Sequence, residues 1–566
     1  MKRTVAIGIQ DFSTLREEHC FYIDKTSLIK EWWERKDHTT LITRPRRFGK
    51  TLNMSMLEQF FSVRYQGRAD LFEGLLIWEE EKYRQLQGTY PVISLSFARV
   101  KEGDYRACYT KISEIIRDLY IQYSFLLESD RLVEAEKAFM RKILTAGQEQ
   151  EEEMSSALYQ LCAFLEHHYG KKVLLFLDEY DTAMQEAYVN GYWEKLASFM
   201  RNLFHSTFKT NPHLERGLMT GITRISKESI FSDLNHLKVV TVTSDAYADC
   251  FGFTEEEVFQ VLEEYGLEEE QAEVKAWYDG FIFGNVTDIY NPWSILNFLD
   301  TARYAPYWAN TSSNQLVSEL IKKSSPSVKQ QFYDLLEGKS IFSPMEEQLV
   351  YHDLEQGEKA IFSLLAASGY LKVLSFEKQN EIDVFKEPVY ELALTNREVR
   401  ILFHQLVRNW FEVVSSEYSG FIKALLLSDV EYMNEYMNRI SMEIFSYFDT
   451  GKKACGSDPE RFYHGFVLGL LVELKDRYHI TSNRESGFGR YDIMMEPKRE
   501  DLPAIIIEFK VFQERRERTL EETVRTALSQ IEERQYGQML QARGIPEERI
   551  RKYGFAFRGK EVWIGI

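Results

Sequence analysis

LITRPRRFGKT, residues 41–51, decides how the rest of the chain is read. Its close, Phe48-Gly49-Lys50-Thr51, has the form of the end of a phosphate-binding loop, G-x-x-x-x-G-K-[ST]. In such a loop backbone N–H groups and a helix N-terminus face an anion, the lysine reaches the terminal phosphates and the hydroxyl ligates magnesium. Counting back, the first glycine belongs at position 44, where this chain has arginine, followed by Pro45, Arg46 and Arg47. The flanks fit the motif all the same. TTLITR (39–44) reads as a strand and KTLNMSMLEQFF (50–61) as an amphipathic helix, so a strand delivers the loop and a helix follows it. Pro45 lacks a donor but fixes φ, and Arg46 and Arg47 add positive charge beside the phosphates. A lone GKT in a basic loop also arises by chance, so the partner elements matter.

VLLFLDEYD (173–181) is an apolar strand ending in Asp178 and Glu179. An aspartate at the end of a buried strand can hold the magnesium shell, and the glutamate after it can activate water. The competing reading is an acidic helix cap after a buried strand. Thr223 or Arg224, closing GLMTGITR, suits a polar sensor of the terminal phosphate. YPVISLSF (90–97), KKVLLFLDE (171–179) and ERGLMTGITR (215–224) read as further strands between long helical stretches. Such alternation implies a mostly parallel sheet covered on both faces.

The chain has 566 residues, too many for one core, and 44% hydrophobic and 14% aromatic residues, the composition of packed globular protein. No run approaches the roughly eighteen apolar residues of a membrane span; GFVLGLLVEL (465–474) is the length of a buried helix segment. MKRTVAIGIQDF lacks the apolar core of a signal peptide. Cys20, Cys108, Cys162, Cys250 and Cys455 lie far apart without a CxxC pair, which argues against a disulfide framework or zinc ribbon and fits a reducing cytoplasm. A net charge of −19 gives no global attraction to nucleic acid, so any such contact needs local basic patches. The acidic run GQEQEEEM (147–154) reads as a solvated helix start or loop.

From about residue 255 the texture turns helical, with Pro292 placed to begin a helix in YNPWSILNFL. Residues 367–407 run from an apolar helix into two β-rich segments with a polar turn between. That order suits a winged-helix-like module or a helical lid with a hairpin. After GSDPERFYHGFVLGLLVEL (456–474), a helix with Ser457 or Asp458 as cap, come strands, a long helix over roughly 518–541 and a closing strand.

In AIIIEFK, Glu508 and Lys510 are two apart on a strand, so both side chains leave the same face. Four apolar residues before them place the strand in a core, where a carboxylate and an ammonium are costly without a purpose. Asp492, in GRYDIMM at the start of the preceding strand, completes a D…E-x-K pattern. Carboxylates clustered on a metal, with a lysine to position water, are what metal-dependent phosphodiester cleavage requires. Taken alone, E-x-K strings are more often solvent-facing ion pairs, and His464 more often a satisfied core histidine. Arg484, Arg490, Arg515, Arg516, Arg518, Arg549, Arg551 and Lys552 cluster near this unit, either for phosphates or for local glutamates.

YIDKT (22–26), LITRPRRFGKT (41–51), LFLDEYD (175–181), YDGF (278–281) and YNPWSIL (290–296) together resemble the bacterial AAA-ATPase-like family, in which such a domain precedes a PD-(D/E)XK-type nuclease domain. The likeness runs over nearly the whole chain. It implies that the arginine–proline start is the family's own version of the loop. It also offers Glu460 as an acid from the first helix of the nuclease part, with Glu473 competing, and Gln530 as a polar residue from the following helix. RecB-like members of that superfamily pair the glutamine with a tyrosine four residues later, whereas Tyr536 is six away, on another face of a continuous helix.

The expected fold is α/β: a P-loop AAA-like parallel-sheet core over 1–250, a helical lid and winged-helix region over 251–450, and a PD-(D/E)XK-like α/β domain over 451–566. ATP would be held by Arg46, Arg47, Phe48, Gly49, Lys50, Thr51, Asp178 and Arg224, with Mg2+ on Thr51 and Asp178 and water activated by Glu179. Asp492, Glu508 and Glu460 would bind Mg2+ or Mn2+ at the second site, with Lys510 and Gln530 completing the catalytic set. The expected activity is an ATP-binding, ATP-hydrolysing module controlling a nuclease, acting on nucleic acid (DNA ahead of RNA), with homo-oligomers and without a membrane. The rival is a nucleotide-dependent switch or scaffold with a non-catalytic nuclease fold; a small-molecule P-loop kinase ranks third.

Overall fold

The computed structural model describes residues 3–145, 150–223, 231, 236–309 and then 317–566 with interruptions, the longest at 346–357, 377–387 and 445–458. The chain divides into two compact units, Met1–Leu320 with Ser340–Leu402, and Ile321–Lys339 with Phe403–Ile566.

In the first unit, β1 (Thr39–Thr43), β2 (Val92–Ser96), β3 (Val173–Asp178), β4 (Leu214–Gly221) and β5 (Leu237–Val240) form one parallel sheet in the order β2-β3-β4-β1-β5. β1 and β3 are buried along their whole length, as strands covered on both faces must be. Helices Tyr105–Gln122, Glu151–Tyr169 and Trp193–Phe208 supply Ile112, Leu161 and Met200 to the core around Leu175 and Leu177. Glu151, Glu152 and Glu153 occupy the first turn of their helix, where carboxylates oppose the positive end of its dipole. In a parallel sheet all carboxyl ends lie on one edge, the usual place for a ligand. The loop after β1, Asp178 and the end of β4 therefore meet, and the register sets Thr220 beside Ile42 and Met219 beside Leu177.

Two smaller sheets are found among the described residues of this unit. β6 (Phe253–Thr254), β7 (Phe281–Phe283) and β8 (Val286–Tyr290) pair antiparallel in the order β6-β8-β7. Helix Pro292–Thr301 starts where the sequence suggests, with Asn291 Oδ1 accepting from Ser294 N at 3.2 Å. β9 (Ile341–Pro344), β10 (Leu371–Phe376) and β11 (Val389–Leu394) form an antiparallel sheet ordered β10-β11-β9. Helix Glu358–Ala367 precedes β10 and helix Arg397–Glu412 follows β11.

The second unit holds β12 (Tyr478–Ser482), the short pair β13 (Glu485–Ser486) and β14 (Gly489–Arg490), β15 (Ile493–Pro497), β16 (Ala504–Val511), β17 (Ile550–Arg558) and β18 (Glu561–Gly565). Its five-stranded sheet is mixed, ordered β12-β15-β16-β17-β18, with only β16 and β17 parallel. The two-residue period of β16 sorts its side chains. Ile505, Ile507 and Phe509 join Tyr463, Val467 and Leu470 of helix Pro459–Leu471 in one core. Ile506 joins Ile531, Tyr536 and Leu540 in another, and Glu508 and Lys510 share that side. The outer edge of β18 is covered: Asn434 and Asn438, one turn apart on helix Val430–Ile444, bond the N–H and C=O of Ile564 and Val562. A bare edge would template pairing with another chain.

The single helix expected over roughly 518–541 is instead two, Leu520–Glu533 and Tyr536–Gln541, broken at Gln535 with φ of 55°. Five residues along a straight helix turn the side chain about 140° away, so an unbroken helix could not bury both Ile531 and Tyr536 in one core. Cys20, Cys108, Cys162 and Cys250 are buried and free, and Cys455 lies outside the described residues. No helix among the described residues is long and apolar enough to cross a membrane.

Candidate functional site

The loop after β1, residues 44–49, is braced by the residues that set it apart from G-x-x-x-x-G-K-[ST]. Arg44 is 0% exposed, and its guanidinium donates to the carbonyls of Thr43 (2.9 Å), Thr241 (2.8 Å), Ala246 (3.3 Å) and Tyr247 (3.2 Å), over the rings of Phe283 and Phe251. Burial brings its pKa down to about 10, so it stays charged at neutral pH. The side chain at the missing glycine thus ties the start of the loop to the segment after β5. Phe48 is buried, its ring 4.7 Å from Phe281 and 5.4 Å from Phe283. Arg46 and Arg47 are more open: Arg46 Nη2 lies 3.4 Å from Gln185 Oε1, and exposed Arg47 sits 4.3 Å over the Trp293 ring. Arg47 takes a φ of 65°, uncommon for a bulky residue, and Gly49, at φ 80°, makes the left-handed turn into helix Lys50–Phe61.

Lys50 is 5% exposed and donates to Arg44 O at 2.9 Å and Pro45 O at 2.8 Å. Burial lowers its pKa, opposed by the negative charge of Glu179, Asp178 and Asp181. An ammonium has three donors, and the two bonds leave one for an anion. Thr51 Oγ1 donates to Asp178 Oδ2 at 2.6 Å, and Thr220 Oγ1 donates to Asp178 Oδ1. Burial raises the pKa of Asp178, and the two hydroxyls oppose the shift. Glu179 follows at a left-handed φ of 50° and accepts from Thr182 Oγ1 at 3.1 Å. Backbone strain of this kind gathers at functional sites.

Two contributors escaped sequence reasoning. Thr220 meets Asp178 because β4 lies between β1 and β3, which only sheet order reveals. Asp181, buried, accepts from the N–H groups of Ile222 and Thr223 (both 2.9 Å) and from Thr223 Oγ1 (3.0 Å), while the Tyr180 hydroxyl donates to Thr223 O at 2.8 Å. Thr223 is thereby an anchor for the end of β4; Arg224 lies outside the described residues.

At the carboxy-terminal sheet, Glu508 is 1% exposed, with Lys510 Nζ 3.6 Å from its Oε1 and Gln530 Nε2 donating to the same oxygen. Asp492, immediately before β15, is held by the backbone of β16: Phe509 N donates to its Oδ2 at 2.8 Å. His464 Nε2 lies 3.0 Å from Asp492 O, and its ring is 5.4 Å from Phe509, so this buried histidine supports the site from the other face. Gln530 reaches Glu508 because helix Leu520–Glu533 lies tight on β17: a Cβ at Gly554, the register partner of Glu508, would be 2.9 Å from Val524 O. Tyr536 corrects the expectation that it faces elsewhere. The break at Gln535 brings it to hydrogen-bond Gln530 and to feel the charges of Glu508 and Asp492; its pKa is raised, first by burial.

The side chain of Glu460 and all of Glu473 lie outside the described residues, as do the side chains of Arg484, Arg490 and Arg515. Lys552 pairs with Glu532 (2.9 Å) and Glu547 (2.6 Å), while Arg549 and Arg551 donate to the carbonyls of Leu502 and Leu426. Arg516 and Arg518 are exposed, without an ion pair among the described residues.

Residues 6–231 match the family model described as predicted AAA-ATPase, and residues 458–565 match the PD-(D/E)XK nuclease superfamily. The chain joins an AAA-ATPase-like domain to a PD-(D/E)XK nuclease superfamily domain. It is also similar to an uncharacterized protein in the vnfD 5′ region of Azotobacter chroococcum mcd 1, 26% identical over 410 residues that span 70% of this chain and 69% of that protein. The AAA-ATPase-like match contains Lys50, Thr51, Asp178 and Glu179; the nuclease-superfamily match contains Asp492, Glu508, Lys510 and Gln530. The nuclease-superfamily domain is electrically balanced: residues 458–565 hold 19 Lys and Arg against 19 Asp and Glu, so the net −19 lies outside it.

Both domains offer hard oxygen donors of the kind Mg2+ and Mn2+ prefer. In the AAA-ATPase-like domain these are the Thr51 hydroxyl and the Asp178 carboxylate, already within hydrogen-bonding distance of each other. In the nuclease-superfamily domain they are Asp492 and Glu508, joined through the backbone of Phe509, with Lys510 Nζ 3.6 Å from Glu508 Oε1. These donor sets fit divalent cations.

Proposed function

We propose that the AAA-ATPase-like domain binds and hydrolyses ATP and controls a metal-dependent nuclease in the C-terminal domain that cleaves nucleic-acid phosphodiester bonds. The observation that carries the nuclease half is the meeting of Asp492, a 1%-exposed Glu508, Lys510 and Gln530 at one end of β16. Asp492, Glu508 and Glu460 would hold Mg2+ or Mn2+; such a cation lowers the pKa of bound water and stabilises charge on a phosphate. Lys510 positions the attacking water and balances Glu508, while Gln530, fixed in turn by Tyr536, keeps that carboxylate in one orientation. DNA ahead of RNA is the substrate class proposed; the charge balance of residues 458–565 supports contact with a nucleic-acid backbone of either kind, because the domain that meets the phosphates carries no net repelling charge.

At the other site Lys50 and the N–H groups of Arg46 to Lys50 receive the phosphates, with Arg46 and Arg47 beside them. Thr51 and Asp178 would hold Mg2+, Glu179 orients water, and Arg224 reads the terminal phosphate. Residues 1–250 serve as the ATPase core, 251–450 as lid and winged-helix region, and 451–566 as the nuclease, working in the cytoplasm as a homo-oligomer. Plasmid nicking in Mg2+ or Mn2+, with and without ATP, tests both halves. Cleavage by wild type and its loss in Asp492→Ala are expected; equal cleavage by both removes the nuclease assignment. Cleavage indifferent to ATP in wild type and in Lys50→Ala alike removes the control.

A further inference from the structure

A single buried carboxylate, far from the phosphate loop in sequence, gathers the elements that grip one of its carbonyls. Arg46 O, in the middle of the loop, accepts from Trp308 Nε1 at 3.0 Å and from Asn291 Nδ2 at 3.4 Å. Asn291 is also the cap of helix Pro292–Thr301. Glu398, which is 0% exposed at the start of helix Arg397–Glu412, bonds the backbone of one donor residue and the helix capped by the other. Its Oε1 accepts from Trp308 N at 2.5 Å and Ala309 N at 3.3 Å, and its Oε2 from Ser294 Oγ at 2.9 Å, in the first turn of the helix that Asn291 caps. The Trp308 ring is clasped as well, 5.4 Å from Phe281 and 5.4 Å from Tyr370, and Phe281 rests on Phe48 of the loop.

We propose that Glu398 is a positioning residue for the phosphate loop: by holding Ser294 and Trp308 at once, it fixes the carbonyl of Arg46 and with it the direction of the N–H groups that receive phosphate. A peptide is planar, so pinning the Arg46 carbonyl also fixes the N–H of Arg47, its partner in the same plane. A carboxylate serves where an apolar residue could not, because two backbone N–H groups and a hydroxyl converge there and would otherwise be buried without acceptors. Residues 294, 308 and 398 lie outside the stretch 6–231 that matches the AAA-ATPase-like family, so the loop's geometry depends on elements beyond that match. The nucleotide consequence rests on the ATP-binding reading proposed above; the loop consequence does not.

The test uses the full chain. Hydrogen–deuterium exchange of the loop without nucleotide is compared among wild type, Glu398→Ala and Glu398→Gln. The glutamine substitution keeps an oxygen for the two N–H groups and turns its amide to the Ser294 hydroxyl. Exchange at residues 46–49 is expected to rise roughly tenfold in Glu398→Ala, with β3 unchanged, and to return to the wild-type rate in Glu398→Gln. No change in Glu398→Ala, or a rise shared by loop and β3 alike, overturns the proposal. In parallel, a fluorescent ATP analogue should bind Glu398→Ala roughly tenfold more weakly than wild type, with affinity restored in Glu398→Gln. Wild type failing to bind the analogue would sink the ATP reading while the exchange result still decides the role of Glu398; unaltered affinity in Glu398→Ala beside a binding wild type counts against the nucleotide consequence.

Discussion

Each of the two sites is built around a lysine, and the two lysines are held in opposite ways. Lys50 is buried against loop carbonyls, with no carboxylate at ion-pair distance among the described residues. Lys510 lies 3.6 Å from the buried carboxylate of Glu508 on its own strand. An ammonium satisfied by neutral carbonyls keeps its charge available to an arriving anion, whereas one balanced against a carboxylate makes a site able to take a cation as well. The supports differ in the same way. The loop around Lys50 is shaped by side chains from far along the chain, Arg44 to residues 241–247 and Trp308 to Arg46. The set around Lys510 comes from strand alternation, one neighbouring aspartate and one covering helix. One site is a cradle that distant segments must assemble; the other is a strand end that folds almost locally.

The contrast breaks most sharply if the lysines and carboxylates can be exchanged without consequence. Asp492→Ala or Glu508→Ala should cut metal-dependent cleavage by roughly a thousandfold, about 4 kcal/mol of barrier, in a plasmid-nicking assay, while ATP binding stays as in wild type. Lys50→Ala should do the reverse, weakening ATP by roughly a hundredfold, about 3 kcal/mol, in a titration that leaves ATP-free cleavage intact.

Smaller effects sharpen the comparison of supports. Arg44→Ala removes four hydrogen bonds donated to backbone carbonyls, of which Thr241 O keeps a bond from Ser244 N, and should destabilise the N-terminal unit by about 3 kcal/mol, read as a lower unfolding midpoint for that unit. Arg44→Lys should recover only part of the loss, because an ammonium cannot reproduce the guanidinium fork.

Burial pushes the pKa of Glu398 from 4.5 up to about 7. Between those values the folded state binds more protons than the unfolded one, so this group's contribution is most favourable at acid pH and falls as pH rises toward 7. From pH 5.5 to 7.5 wild type should lose about 2 kcal/mol relative to Glu398→Gln, measured as the difference between their denaturant midpoints. The smallest effect belongs to the edge: Asn434→Ala should cost about 1 kcal/mol and expose β18 to slow association, visible by light scattering.

Several elements were legible from residue order alone. TTLIT, KTLNMSMLEQFF and VLLFLD carry their own periodicity and punctuation, and they form β1, helix Lys50–Phe61 and β3. Glu508 and Lys510 could be placed on one side of a strand because a strand alternates. The course of residues 518–541 was not legible, since the break at Gln535 answers to a core shared by Ile531, Tyr536 and Leu540, and the residue that takes the left-handed turn is a glutamine, with Gly537 two positions later. Thr220 was missed for a related reason: its partner, Asp178, is 42 residues away.

By itself, then, the amino-acid order determined which groups carry charge and which way they leave their own strand or helix, because local backbone geometry repeats with a fixed period. It left unsaid what Arg44 does in place of a glycine, why Tyr536 reaches Gln530, and which carboxylate holds the segment clamped on Arg46. Those are decided by tertiary structure, since burying a polar group obliges it to find a partner wherever in the chain one can be brought close.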